Sequence, residues 1–211
     1  RLSNITIKGD NSMSILVEKQ TMSDVHTVCL QLFEAFAVVC MQHNLQWFAD
    51  SGTLLGAVRD GKLIPWDDDM DFIMPRVSYN RLLEIGKYAF KAPVFFQTSY
   101  VDDFFCGHIR LCMNGTARLT KADYNQPYHR GIAIDIFPYD SLPNNEDEAS
   151  TLQGFLRQIQ KYACPVVQSL QYCGTLNAYD AASMMDKMLT QVSCKYMKSE
   201  YVINSPFYYS N

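Results

Sequence analysis

Trp66-Asp67-Asp68-Asp69-Met70-Asp71-Phe72-Ile73-Met74-Pro75-Arg76 is the stretch whose reading decides the fold. Four carboxylates fall within five residues and run straight into an apolar segment. Side chains alternate between the two faces of a strand. Read as a strand, the stretch points Asp69, Asp71 and Ile73 one way and Met70, Phe72 and Met74 the other. One face is then fit for burial, and the opposite face carries a pair of carboxylates. Magnesium is typically held by one or two carboxylates, with substrate phosphates and waters completing its shell. A solvated acidic turn ahead of an ordinary strand would use the same letters, so the neighbouring segments decide between the two.

Upstream lies Asp50-Ser51-Gly52-Thr53-Leu54-Leu55-Gly56-Ala57-Val58-Arg59. It follows a short strand candidate, Leu45 to Ala49, and turns from small residues into a helical apolar pattern. Such a join exposes a helix N-terminus, where unpaired N–H groups and the helix dipole favour a phosphate. Gly52 would let the backbone come close, and Ser51 or Thr53 could donate a hydroxyl. Arg59 and Lys62 add positive charge near the expected phosphates. An anion cradle beside a metal cage describes a site for a metal-bound phosphate ester or anhydride.

Downstream, Gly131-Ile132-Ala133-Ile134-Asp135-Ile136-Phe137-Pro138 sets Ile132, Ile134 and Ile136 against Ala133, Asp135 and Phe137. A carboxylate inside such a strand is costly unless it is paired or bound to metal. Asp135 could be a third carboxylate of the cage, a general base, or a residue bonded to a backbone amide or an arginine. In the strand Phe104 to Met113, His108 and Arg110 share one face.

The remaining chain frames these segments. Ile5 to Lys8 and Met13 to Val17 read as a hairpin around Gly9-Asp10-Asn11-Ser12. Ser23 caps a helix whose apolar residues repeat from Val25 to Cys40, and Asn44 stops it in a left-handed conformation. His26 and His43 read as surface residues of that helix. Ser78 caps the helix after the acidic strand, Arg76 sits at the strand end near the cleft, and Asp140 reads as turn chemistry. Beyond Pro143 the chain turns helical, from Asn145 and again from Asn177 to Lys195. The net charge of −4 over 211 residues excludes a broad basic footprint for nucleic acid. Seven scattered cysteines without Cys-x-x-Cys spacing read as reduced residues of a cytoplasmic protein. No run is read as long enough for a membrane span. The chain begins at Arg1, and residues are expected to be missing at both ends.

The Gly-Thr-Leu-Leu-Gly segment, Ile64-Pro65-Trp66-Asp67-Asp68-Asp69-Met70-Asp71 and Ile134-Asp135-Ile136-Phe137-Pro138 together resemble the LicD family, which includes bacterial phosphocholine transferases and is related to fukutin. The resemblance runs from about residue 23 to residue 140. It implies an α+β fold, a nucleotidyltransferase-like mixed sheet flanked by helices, with a helical C-terminal region over about 145–200 in the same catalytic domain. It implies a magnesium or manganese ion on Asp69 and Asp71, with Asp135 as the candidate third ligand, and catalysis by these three. It implies a CDP-activated donor such as CDP-choline, its phosphates met by Ser51, Gly52, Thr53, Arg59, Lys62 and Arg110. The implied acceptor is a hydroxyl of a cell-surface glycan, reached by a cytoplasmic enzyme that is peripheral to the inner face of the membrane. His108-Ile109-Arg110 stands where many relatives have Lys, Ile or Val, then Arg. The alternatives are a nucleotidyltransferase that moves a nucleoside monophosphate, and a binding module that keeps the fold without turnover.

Overall fold

A computed structural model of the chain describes residues 3–4, 16–17, 21–102, 107–118, 128–158, 161, 177–183 and 202–204. Strands β1 (Ser3–Asn4) and β2 (Leu16–Val17) pair antiparallel, with Ser3 opposite Val17 and Asn4 opposite Leu16. That register suits the expected hairpin, whose turn lies outside the described residues. Helix α1 spans Met22–Gln42 and is capped by Thr21 rather than Ser23. The reciprocal box decides it: Thr21 Oγ1 accepts from the Asp24 amide at 3.3 Å, and Asp24 accepts from the Thr21 amide at 2.8 Å. Asn44, at φ 53°, takes the left-handed conformation just past the helix. By length and apolar composition α1 passes as a candidate membrane span, a candidate the sequence reading did not identify. In this fold its buried residues, Cys29, Leu32, Phe36, Val39 and Cys40, join the core over the sheet.

Strand β3 (Phe48–Ala49) is shorter than expected and leads into α2 (Ser51–Asp60). Strand β4 (Asp71–Pro75) passes directly into α3 (Arg76–Ala89), followed by β5 (Val94–Gln97), β6 (Ile109–Met113) and β7 (Ala133–Ser141). Helix α4 (Glu146–Gln158) and strand β8 (Val202–Asn204) follow. The main sheet is mixed, in the order β3-β4-β7-β6-β5, with β8 also paired to β7; among the described residues only β4 and β7 run parallel. This is the α+β arrangement expected, a mixed sheet flanked by helices. Asn145 starts α4 as read, its side-chain oxygen accepting from the amides of Asp147 and Glu148 at 3.0 Å each. Asn177 caps the helical residues 178–183 in the same way, through Asp180. The rest of the helix expected from Asn177 to Lys195 lies outside the described residues.

The alternation read in β4 is the alternation observed. Phe72 and Met74 are buried with Ile134 and Ile136 of β7 and Ile109 and Leu111 of β6 in one core. Phe72 stacks on Phe33 of α1 at 5.2 Å and lies 5.3 Å from Phe36 and 5.5 Å from Trp47. Three further expectations change. Ser78 does not cap α3; its hydroxyl accepts from the Gln46 amide at 3.0 Å. Arg76 is no cleft residue, and Asp140 is no turn residue. Both are buried, and the guanidinium forks onto the Asp140 carboxylate through two bonds of 2.6 Å.

Breaking a buried pair leaves one charge uncompensated, at a cost of about 3–5 kcal/mol. Arg76→Ala is therefore expected to cost about that much stability, while Arg76→Met combined with Asp140→Leu costs much less. Urea titration of the two variants checks the difference.

Candidate functional site

The parallel pairing of β4 with β7 sets Asp71 opposite Asp135, and the antiparallel pairing of β7 with β6 sets Asp135 opposite Arg110. Residues in register share a face. Asp71, Asp135 and Arg110 thus form a row across three neighbouring strands, on the face opposite Phe72. Within the row, Arg110 Nε donates to Asp135 Oδ1 at 2.8 Å. His108 Nε2 lies 3.5 Å from the same oxygen, and its ring rests on Phe137 at 4.4 Å between centroids. His108, just ahead of β6, is thus a second basic neighbour of Asp135. Burial by itself would raise the Asp135 pKa; Arg110, helped by His108, outweighs it and holds the carboxyl well below the usual range.

The acidic turn leads into this row. One oxygen or other of each of Asp67, Asp68 and Asp69 lies within 4.8 Å of the others. Asp71 and Asp135 stand outside that trio. Asp69 belongs to the trio and also couples to Asp71 and Asp135. Burial, against the pull of Arg118, pushes Asp69 up to about 6, with Asp135, Asp67 and Asp68 adding repulsion. Burial also pushes Asp71 up to about 7, with Asp69, Asp135, Asp50 and Asp67 acting in the same direction. Hard carboxylate oxygens that repel one another in a half-buried cluster are the donor set of a magnesium- or manganese-type ion, not of a thiolate-loving metal.

Other residues hold these carboxylates in place. His26 of α1 is half-buried, with Nε2 2.7 Å from the carbonyl oxygen of Asp67. It is no surface residue but a tie between α1 and the acidic turn. The Asp71 amide donates to Thr53 Oγ1 at 2.8 Å, and the Asp50 amide donates to the Asp71 carbonyl at 3.0 Å. Thr53 is buried, so its hydroxyl fixes the start of β4 instead of facing an anion. Ser51, at φ 49°, takes a left-handed backbone at the very start of α2, and its hydroxyl donates to Asp50 at 3.3 Å. A side chain on Gly52 would overlap Oδ2 of Asp67, and one on Gly56 would come within 2.6 Å of the Lys62 carbonyl. The two glycines thus let the loop after α2 fold back against the helix, bringing the Asp67 carboxylate to its N-terminal turn. The helix dipole there favours that negative charge.

The two cations expected from the loop lie elsewhere. Arg59 sits in the last turn of α2, exposed and paired to Asp60 at 2.7 Å, about 12 Å along the axis from Ser51 at ~1.5 Å per residue. Lys62 is exposed, beside the middle of the helix. The sequence reading passed over Arg118. Its Nε is 3.1 Å from Oδ2 of Asp68, and its Nη2 is 3.1 Å from Oδ1 of Asp68 and 3.5 Å from Oδ2 of Asp69. No motif marks this arginine, which stands in an irregular stretch after β6.

Gly52→Ala should displace the Asp67 turn. The expected result is roughly tenfold weaker Mn2+ binding with an unchanged far-ultraviolet circular dichroism spectrum, as when a supporting partner of a metal ligand is lost. Titration calorimetry checks it.

Comparison with known proteins gives a consistent picture. The chain is similar to the lipopolysaccharide cholinephosphotransferase LicD of Haemophilus influenzae, at 27% identity over 131 residues, which is 61% of this chain and 48% of that protein. It spans about half the length of that relative. Residues 44–174 match the family described as LicD/FKTN/FKRP, nucleotidyltransferase domain. This range starts ahead of β3 and ends beyond α4, so it takes in the acidic turn and the row across β4, β7 and β6. On that match, the chain belongs to the LicD/FKTN/FKRP nucleotidyltransferase-domain family.

Proposed function

We propose that the chain transfers a phospho-alcohol, phosphocholine or a similar group, from a CDP-activated donor to a hydroxyl of a cell-surface glycan. The observation that carries this reading is the acidic face, where Asp71 lies in register with Asp135 on parallel strands, Asp69 stands just ahead of β4, and Arg110 and Arg118 pair with Asp135 and Asp69. The name of the Haemophilus relative supports choline phosphate as the group and a lipopolysaccharide as the kind of acceptor. Asp69, Asp71 and Asp135 would hold a magnesium or manganese ion, flanked by Asp67 and Asp68. That ion supplies positive charge to the oxygens of the transferring phosphoryl group.

The chain's own residues do the rest. Arg110 keeps Asp135 ionised and oriented, in the form able to take a proton from the acceptor hydroxyl. Ser51 and the first amides of α2 face the donor phosphates. The acceptor oxygen forms a bond to the phosphorus that bears the alcohol, the bond from that phosphorus to CMP breaks, and CMP leaves. Positioning and fixed charge are the main contributions in phosphoryl transfer generally. The reaction belongs on the cytoplasmic side of a membrane, with the chain associated peripherally.

Incubating the protein with magnesium, a panel of CDP-alcohols and a glycan acceptor tests this by mass spectrometry. The expected products are CMP and a glycan heavier by the phospho-alcohol. Release of pyrophosphate with a nucleotidylated acceptor would replace this reading with nucleotidyl transfer. Absence of metal-dependent turnover across the panel would leave a binding module.

A further inference from the structure

We infer that Arg118 alternates between two anionic partners: it bridges Asp68 and Asp69 in the absence of a divalent cation, and binds the donor's pyrophosphate once a cation has taken those carboxylates. The inference rests on the reading of this face as a metal and phosphate site.

Arg76, Arg110 and Arg118 lie against carboxylates in different settings. The Arg76 side chain is 2% exposed and locked to Asp140. The Arg110 side chain is 14% exposed and aligned with Asp135 by strand pairing. The Arg118 side chain is 34% exposed, and its partner Asp68 is 49% exposed. Its backbone is fixed, since the Arg118 amide donates to the Arg130 carbonyl at 2.7 Å. A held backbone with a long, half-exposed side chain gives an arm that can swing without unfolding anything.

The arm now grips two of the three carboxylates whose oxygens converge. A guanidinium and a divalent cation on those oxygens compete, because the two positive charges repel and draw on the same carboxylate charge, so binding of one weakens the hold of the other. Yet the position of the arm suits a second task. A planar guanidinium presents paired N–H donors that match phosphate oxygens, and a charge-assisted bond of this kind is about twice as strong as a neutral one. Released from Asp68, Arg118 stays within a side chain's length of the anion that the cation would bring. In the cation-free protein the arm also offsets repulsion within the acidic turn, whose charge Asp69 already shares with Asp135 and Asp67.

The two tasks predict opposite changes in one variant, which a merely supporting role would not produce. In Arg118→Ala, Mn2+ alone should bind roughly 3- to 5-fold more tightly, because an exposed competing ion pair is gone. Binding of inorganic pyrophosphate in the presence of saturating Mn2+ should weaken roughly 10-fold or more, the scale of a lost charge-assisted contact. Arg118→Lys keeps the charge without the fork, so it should bind Mn2+ like the wild type and recover only part of the pyrophosphate affinity. Titration calorimetry on the full chain reads all of these. Both affinities falling together, or either one staying at the wild-type value in Arg118→Ala, overturns the inference. Should Arg118→Ala fail to fold by circular dichroism, Arg118→Lys decides: unchanged pyrophosphate affinity overturns the inference, and a severalfold loss at constant Mn2+ affinity supports it. A final titration with CDP-choline separates the two levels of argument. Wild-type protein that binds Mn2+ and pyrophosphate but not CDP-choline rules out choline as the head group while leaving the role of Arg118 intact.

Discussion

Asp71→Asn is expected to lower turnover about 10²-fold or more, the scale of losing one preorganised electrostatic element, while the metal-free protein stays at least as stable as the wild type. The two halves of this expectation have separate causes. The backbone of Asp71 holds β4 in place, through its amide to Thr53 and its carbonyl to Asp50, and neither bond uses the side chain. The carboxylate itself stands among Asp69, Asp135, Asp50 and Asp67 in a half-buried setting. Without a cation, neutralising it relieves repulsion. With one, it removes a ligand charge. Steady-state rates at several magnesium concentrations, together with a thermal melt in chelator, measure both. A variant that is destabilised and still active would assign Asp71 a structural role only.

The second large effect is expected at Asp135. Asp135→Asn should lose turnover on the ~10²–10⁴-fold scale of a lost general base or ligand. The substitution keeps shape and one oxygen but takes from Arg110 the anion it now pairs with at 2.8 Å. If Asp135 is chiefly a ligand, magnesium affinity falls as well, and excess magnesium partly restores the rate. If it is chiefly the base, metal affinity barely moves and excess magnesium does not help. The register with Asp71 favours the ligand role, because it puts the two carboxylates on one face of adjacent strands. A variant with normal turnover would remove Asp135 from the chemistry altogether.

How much of this could be read from the letters follows from the reach of each interaction. The alternation in β4 and β7 was legible because a strand repeats every two residues, and burying Phe72, Ile134 and Ile136 forces Asp71 and Asp135 outward together. The start of α4 was legible because Asn145 reaches only its own next two or three amides. The start of α1 was misplaced because Thr21 and Ser23 are both good caps, and only the return bond from Asp24 separates them. Arg76 was misplaced because its partner, Asp140, lies in a different strand. For the same reason His26 and Arg118 went unrecognised: each touches the acidic turn from a distant part of the chain, and neither carries a local pattern. Conversely Arg59 and Lys62 are close to the turn in sequence, yet α2 carries Arg59 to its far end and Lys62 lies exposed beside the middle of the helix.

The pairing of β4 with β7 has a consequence for how any preparation of this protein behaves. A strand shifted by one residue exchanges all of its faces at once. In a slipped sheet Asp135 would enter the core, Ile136 would meet water, and Asp71 would lose its neighbour. The contacts that bury Phe72 against Ile136 and those that bring Asp71 to Asp135 are therefore gained or lost in a single event. Individual molecules are then either competent or inert, with no half-assembled population of intermediate rate. A sample of low specific activity would be a mixture, and titrating its metal sites would count the competent fraction directly.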